Sequence, residues 1–117
     1  MNSKDTEILR LIIKYADEVT NGIAEYRLDY ERFSSNPMFK NGISMPIMQI
    51  GENCKKLSKE LRQVYNKVPW VLIGDMRNKF AHGYELMNEE VIWEVALEYI
   101  PELKAYCEEI LEETGNL

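Results

Sequence analysis

The chain is poor in the residues that build metal centres and disulfide frameworks: its 117 residues include one histidine, His82, and two cysteines, Cys54 and Cys107. A structural zinc site needs several thiolate or imidazole ligands at set spacings, so the sequence implies no metal and no other cofactor. Both cysteines fall at apolar positions of helical patterns and read as buried thiols rather than a disulfide pair. No apolar run approaches the roughly 18 residues that cross a bilayer. The opening residues Met1-Asn2-Ser3-Lys4-Asp5 lack the apolar stretch of a signal peptide, so a cytoplasmic location is expected. Positive charge is also scarce, with 14 Lys and Arg against 20 Asp and Glu for a net charge of −6, which argues against holding nucleic acid by bulk electrostatics. No segment alternates with period two for long enough to suggest a sheet, and there is neither an internal repeat nor a low-complexity linker.

What is present is helical periodicity. With 45% hydrophobic and 29% charged residues, the chain fits one compact domain over residues 1–117 with a single core. Ile8, Ile12, Tyr15 and Val19 recur at helical spacing, as do Ile23, Tyr26, Tyr30 and Phe33 in a second segment divided from the first near Asn21-Gly22. A third stripe, Ile43, Ile47, Ile50, Cys54, Leu57, Leu61 and Val64, begins after the start signal Asn36-Pro37, and Pro46 inside it predicts a kink. Pro69 opens a fourth helix running from Trp70 to about Ala81, and Gly83 is suited to stop it. Asn88 caps a fifth, with Ile92, Val95, Tyr99, Leu103, Tyr106 and Ile110 inward, Pro101 bending it and Gly115 ending it. The expected fold is all-α, an antiparallel bundle of about five helices with the third and fifth kinked.

Charge is distributed unevenly along this frame. Residues 55–79 carry Lys55, Lys56, Lys59, Arg62, Lys67, Arg77 and Lys79 against Glu60 and Asp75, whereas Lys104 is the single basic residue among ten carboxylates from Glu85 onward. The basic segment leads into Arg77-Asn78-Lys79-Phe80-Ala81-His82-Gly83-Tyr84. A guanidinium is a permanent cation whose planar fork fits phosphate oxygens, and imidazole exchanges a proton near neutral pH, so this pair suits metal-free phosphodiester chemistry. Residues five apart on a continuous helix point roughly 140° apart, so Arg77 and His82 converge only where the helix ends, as Gly83 allows. The tyrosine hydroxyl is open to use as a ligand, a packing group or a target of modification. Trp70 and Trp93 read as packing anchors, and Glu52 as a solvated carboxylate or a buried partner of Arg77.

Gln49-Ile50-Gly51-Glu52, Val68-Pro69-Trp70, the stretch from Met76 to Tyr84, Val91-Ile92-Trp93-Glu94 and Ile100-Pro101-Glu102-Leu103 together resemble the HepT-like ribonuclease toxins of the HEPN superfamily. The resemblance runs through essentially the whole chain, most specifically from about Ile43 to Leu111. It implies an all-helical homodimer and a metal-independent endoribonuclease site in an Arg, four residues, His, any, Tyr motif. It also implies a cognate minimal nucleotidyltransferase antitoxin that transfers AMP to the motif tyrosine, within a toxin–antitoxin system of type II or type VII. Matched residue by residue, Arg77 and His82 fall on the catalytic pair, Asn78 on the polar residue after the arginine, and Tyr84 on the adenylylated tyrosine. Lys55, Lys59, Arg62 and Lys79 are the candidate RNA-binding cations, because an acidic chain needs a local basic cleft.

Two other classes of function compete with this reading. One is a catalytically inactive HEPN binding module that partners a nucleotidyltransferase; RNA cleavage that disappears in His82→Ala separates it from the toxin. The other is a purely structural helical dimer, in which substitutions at Arg77 and His82 leave stability within roughly 0.5 kcal/mol and nothing else to lose.

Overall fold

The computed structural model describes residues 1–71, 73–75 and 88–117. Among them every regular element is helical: α1 (Ser3–Glu25), α2 (Tyr30–Ser35), α3 (Pro37–Lys56), α4 (Lys59–Val64), helical residues 70–71 and 73–75, α5 (Glu89–Glu94), a π-helical turn (Val95–Tyr99) and α6 (Ile100–Glu113). None of these helices is long and apolar enough to cross a membrane.

The first helix is the spine of the fold. Asn2 caps it by accepting the Asp5 N–H at 2.7 Å, and Ile8, Leu9, Ile12, Ala16 and Val19 form its buried face. Its two main neighbours, α3 and α6, both run antiparallel to it. At one end of α1, Asp5 meets Ser58 just past the end of α3, and at the other Gly22 lies against the Ile43 side chain near the start of α3. Likewise Arg10 reaches the Asn116 carbonyl, while Asp17 pairs with Lys104 near the beginning of α6. Hydrogen bonding to Asp17 raises the Lys104 pKa. The core between these helices includes Leu9, Ile12, Ile50, Cys54, Cys107 and Ile110, all essentially inaccessible to water. Burying such an aliphatic side chain stabilises the fold by about 1.5–3 kcal/mol.

Two boundaries depart from the periodicity. The helix α1 passes through Asn21-Gly22 and ends at Glu25, where Arg27 takes φ 49°. The Leu28 N–H then bonds to the Ile23 carbonyl at 2.9 Å and the Arg27 N–H to Ala24 at 3.3 Å, the two bonds of a Schellman ending with an arginine in the place glycine usually takes. Tyr26 is exposed as a result, and Phe33 alone of the expected second stripe is fully buried. The third stripe is shared between two helices, because Leu57 turns to an extended conformation and Ser58 caps α4. Val64, at the end of α4, is 71% exposed rather than in the core.

The prolines act differently from one another. Asn36 and Pro37 start α3 as the sequence indicates, and the helix continues through Pro46 as one element. Before Pro101 the ladder widens: the Ile100 N–H reaches back five residues to the Val95 carbonyl. Proline has no N–H to offer and its ring crowds the carbonyl four residues earlier, and a π turn relieves that crowding without ending the helix. The extra residue shifts the helical phase. Tyr99, expected inside, is 55% exposed, and Ala96 and Ile100 join the core instead. Gly115 ends α6 with φ 75°, and the bonds of Gly115 to Glu112 and Asn116 to Leu111 complete a second Schellman motif.

Candidate nucleic-acid interface

The basic segment is held at one end of the bundle by a buried carboxylate. Asp5, 2% exposed, accepts the Ser58 N–H on Oδ1 at 2.9 Å and the Ser58 hydroxyl on Oδ2 at 2.5 Å. The same Ser58 Oγ accepts the Leu61 N–H at 3.2 Å and so caps α4. This relay ties the start of α1 to the junction of α3 and α4. It thereby fixes the positions from which Lys55, Lys59 and Arg62 project.

Beyond α4 the chain turns back through Tyr65 to Pro69 and re-enters a helix at Trp70, where the Ile73 N–H bonds to the Pro69 carbonyl at 3.0 Å. Trp70 anchors this turn. It is 3% exposed, its Nε1–H donates to the Tyr65 carbonyl at 2.7 Å, and its ring stacks on Tyr106 of α6 at a centroid distance of 6.0 Å. Trp93 packs its ring against Phe33 at 5.1 Å. Both tryptophans are therefore packing anchors, as their place in the sequence suggests.

The helical residues 73–75 cross α3 closely. Gly74 is buried, and a Cβ built on it would stand 2.2 Å from Cγ of Lys55 and 3.6 Å from the Gly51 carbonyl oxygen. Glycine at 74 thus lets the Lys55 stem lie across the backbone two residues before Met76. Lys55 and Lys59 are exposed and Arg62 half-buried, and none of the three forms an ion pair among the described residues. By contrast Lys40 is paired with Glu89 and Lys67 with Glu109. Lys59, Arg62 and Gln63 line a groove of about 460 Å³ together with Val68, Pro69, Trp70 and Val71. The distribution of charge along the sequence does not signal the apolar side of that groove; its cue is Val68-Pro69-Trp70 beside a lysine-rich helix.

Arg77, Asn78, Lys79, His82 and Tyr84 lie outside the described residues. The structure accordingly sets Lys59 and Arg62 of the candidate set on one groove, lays Lys55 against Gly74, and leads the chain to Asp75, two residues short of Arg77. Glu52, half-buried on α3, sits one residue from the Gly51 crossing.

An all-helical bundle with an Arg-to-His motif after its basic turn defines a HEPN-class protein, and comparison with known families agrees. The ribonuclease HepT-like family model matches residues 9–110. Two proteins named "Putative RNase" are similar to the chain. The one from Caldanaerobacter subterraneus subsp. tengcongensis is 39% identical over 85 residues, covering 73% of this chain and 76% of its own length. The other, from Methanocaldococcus jannaschii, is 32% identical over 102 residues, covering 87% and 86%. A "Probable ribonuclease HepT" of Thermococcus cleftensis is 31% identical over 61 residues, 52% of this chain and 56% of that protein. No solved structure matches the chain. The chain belongs to the HepT-like ribonuclease family of the HEPN superfamily.

Proposed function

We propose that this protein is a metal-independent endoribonuclease toxin, acting as a homodimer and silenced by a nucleotidyltransferase antitoxin that adenylylates Tyr84. The observation that carries the reading is the intact Arg77, His82 and Tyr84 motif in a chain of the HepT-like family. The uncommitted cations Lys55, Lys59 and Arg62, with Lys79 in the motif itself, supply the local positive field that the net charge of −6 withholds.

The chemistry follows from the residue types. A ribose 2′-oxygen attacks the adjacent phosphorus, its proton passes to an imidazole, and the bond from phosphorus to the 5′-oxygen breaks as that oxygen takes up a proton. The guanidinium of Arg77 neutralises the charge that builds on the phosphorane-like transition state, and Asn78 supports it. One imidazole cannot be base and acid in the same step. A dimer that faces two motifs across one cleft provides two histidines and doubles the basic surface. The products are a 2′,3′-cyclic phosphate and a 5′-hydroxyl. AMP on Tyr84 places a bulky anion in this cleft and repels the substrate phosphates.

The test is a substrate with a single 2′-deoxy nucleotide at the scissile position. Loss of cleavage at that bond alone, with cyclic phosphate ends at the others, supports the mechanism, and cleavage at the deoxy position refutes it.

A further inference from the structure

The groove beside α4 combines two features that a bundle has no structural need to combine. Among the described residues Lys59 and Arg62 are free of ion pairs, and the buried Arg62 Nε has no hydrogen-bond acceptor. An unsatisfied guanidinium N–H gains by turning toward an anion, and a planar fork is well matched to phosphate. Facing these cations, Pro69 and Val71 are exposed, Val71 by 57%, although Trp70 between them is fully packed. Single-stranded nucleic acid is held by cations along its backbone and by contact on its base faces, most strongly from aromatic rings; with the Trp70 ring packed away, Pro69 and Val71 offer an aliphatic face for that contact beside the two cations. The volume of about 460 Å³ falls within the range of small-ligand pockets. Val71 and Arg77 are six steps apart in the chain, so the Val71 end of the groove lies within about 22 Å of the arginine backbone.

We propose that this groove seats one nucleotide of the RNA strand flanking the scissile bond, its phosphate on Lys59 and Arg62 and its base against Pro69 and Val71. The proposal rests on the ribonuclease reading and assigns these residues to substrate binding, not to the chemical step.

Binding of a short single-stranded 2′-O-methyl RNA tests it, because that strand lacks the nucleophile and reports the groove independently of cleavage. Lys59→Gln and Arg62→Gln are each expected to weaken binding several-fold and to flatten the salt dependence by about 0.7 in slope, the loss of one phosphate contact on a single strand. Val71→Asp, which sets a carboxylate on the wall, weakens binding at least as much, and the distant Lys14→Gln leaves it unchanged. Lys59 is exposed, so its variant keeps the test valid should Arg62→Gln fail to fold by circular dichroism. Wild-type affinity and slope in the Lys59 and Arg62 variants would overturn the proposal, as would absence of binding by the wild type. Groove-dependent binding without cleavage of ordinary RNA removes only the ribonuclease reading; cleavage without groove dependence removes only this inference.

Discussion

Asp5 shows how a single side chain sets the geometry of a distant segment. It sits 53 positions from Ser58 and satisfies both the amide and the hydroxyl of that residue at the start of α4. Replacing it by alanine leaves the two half-buried Ser58 donors without this acceptor, so Asp5→Ala should cost about 1.5–3 kcal/mol in urea unfolding, the range for a hydrogen bond to a charged group. A variant that unfolds at the wild-type midpoint would show that the clasp is incidental. The two thiols give a second test at this scale. Burial pushes the Cys54 thiol up to about 12, and burial, then the neighbouring Cys54 and Glu108 charges, raise Cys107 as well. The folded state therefore keeps both thiols neutral while an unfolded chain ionises them at about pH 8.5. Their contribution to stability is whole below that pH and is lost as pH rises toward 12. Neither thiol should react with a disulfide reagent at pH 8 until denaturant is added, and rapid labelling of the native protein would contradict this burial. The burial was legible from the helical spacing of both cysteines; the Asp5 to Ser58 contact was not, because periodicity carries no information about partners 53 positions apart.

At the scale of elements, the legible features were those with a local cause. The Asn36-Pro37 and Asn88 starts and the Gly115 stop each follow from side-chain capping or from a glycine that accepts positive φ. The end of α1 was missed because the residue in the left-handed conformation there is Arg27, and Gly22 nearby offered a more conventional break. An L-residue in that conformation costs roughly 1–2 kcal/mol, part of which glycine returns through its greater freedom in the unfolded chain. Arg27→Gly should therefore raise stability by about 0.5–1 kcal/mol. A lower unfolding midpoint would mean that the arginine side chain makes a compensating contact. The phase shift before Pro101 was hidden for a different reason. The proline announces a disturbance, but whether a helix bends, breaks or takes up one more residue depends on which carbonyl the following amides can reach.

For the whole molecule, the order of charge along the sequence becomes only partly a division in space. The acidic α5 and α6 pack on α2 and α1, and Lys59 and Arg62 share one groove with the turn at Trp70, yet that turn also meets the acidic α6, with Lys67 paired to Glu109 and Trp70 stacked on Tyr106. The all-α class, the packing role of both tryptophans and the family were readable in the sequence, because they rest on periodicity and on ordered local motifs. The groove was not, since it takes both a helix face and a turn to form it. The central claim is that this arrangement serves RNA cleavage by Arg77 and His82 without a metal. Incubating a mixed RNA with wild-type protein and with His82→Ala in EDTA tests it most directly. Cleavage by the wild type, with at least a hundredfold loss in the variant as expected for removing a general acid–base group, is the predicted result; equal cleavage by both proteins, or intact RNA with a wild type free of AMP on Tyr84, would contradict it.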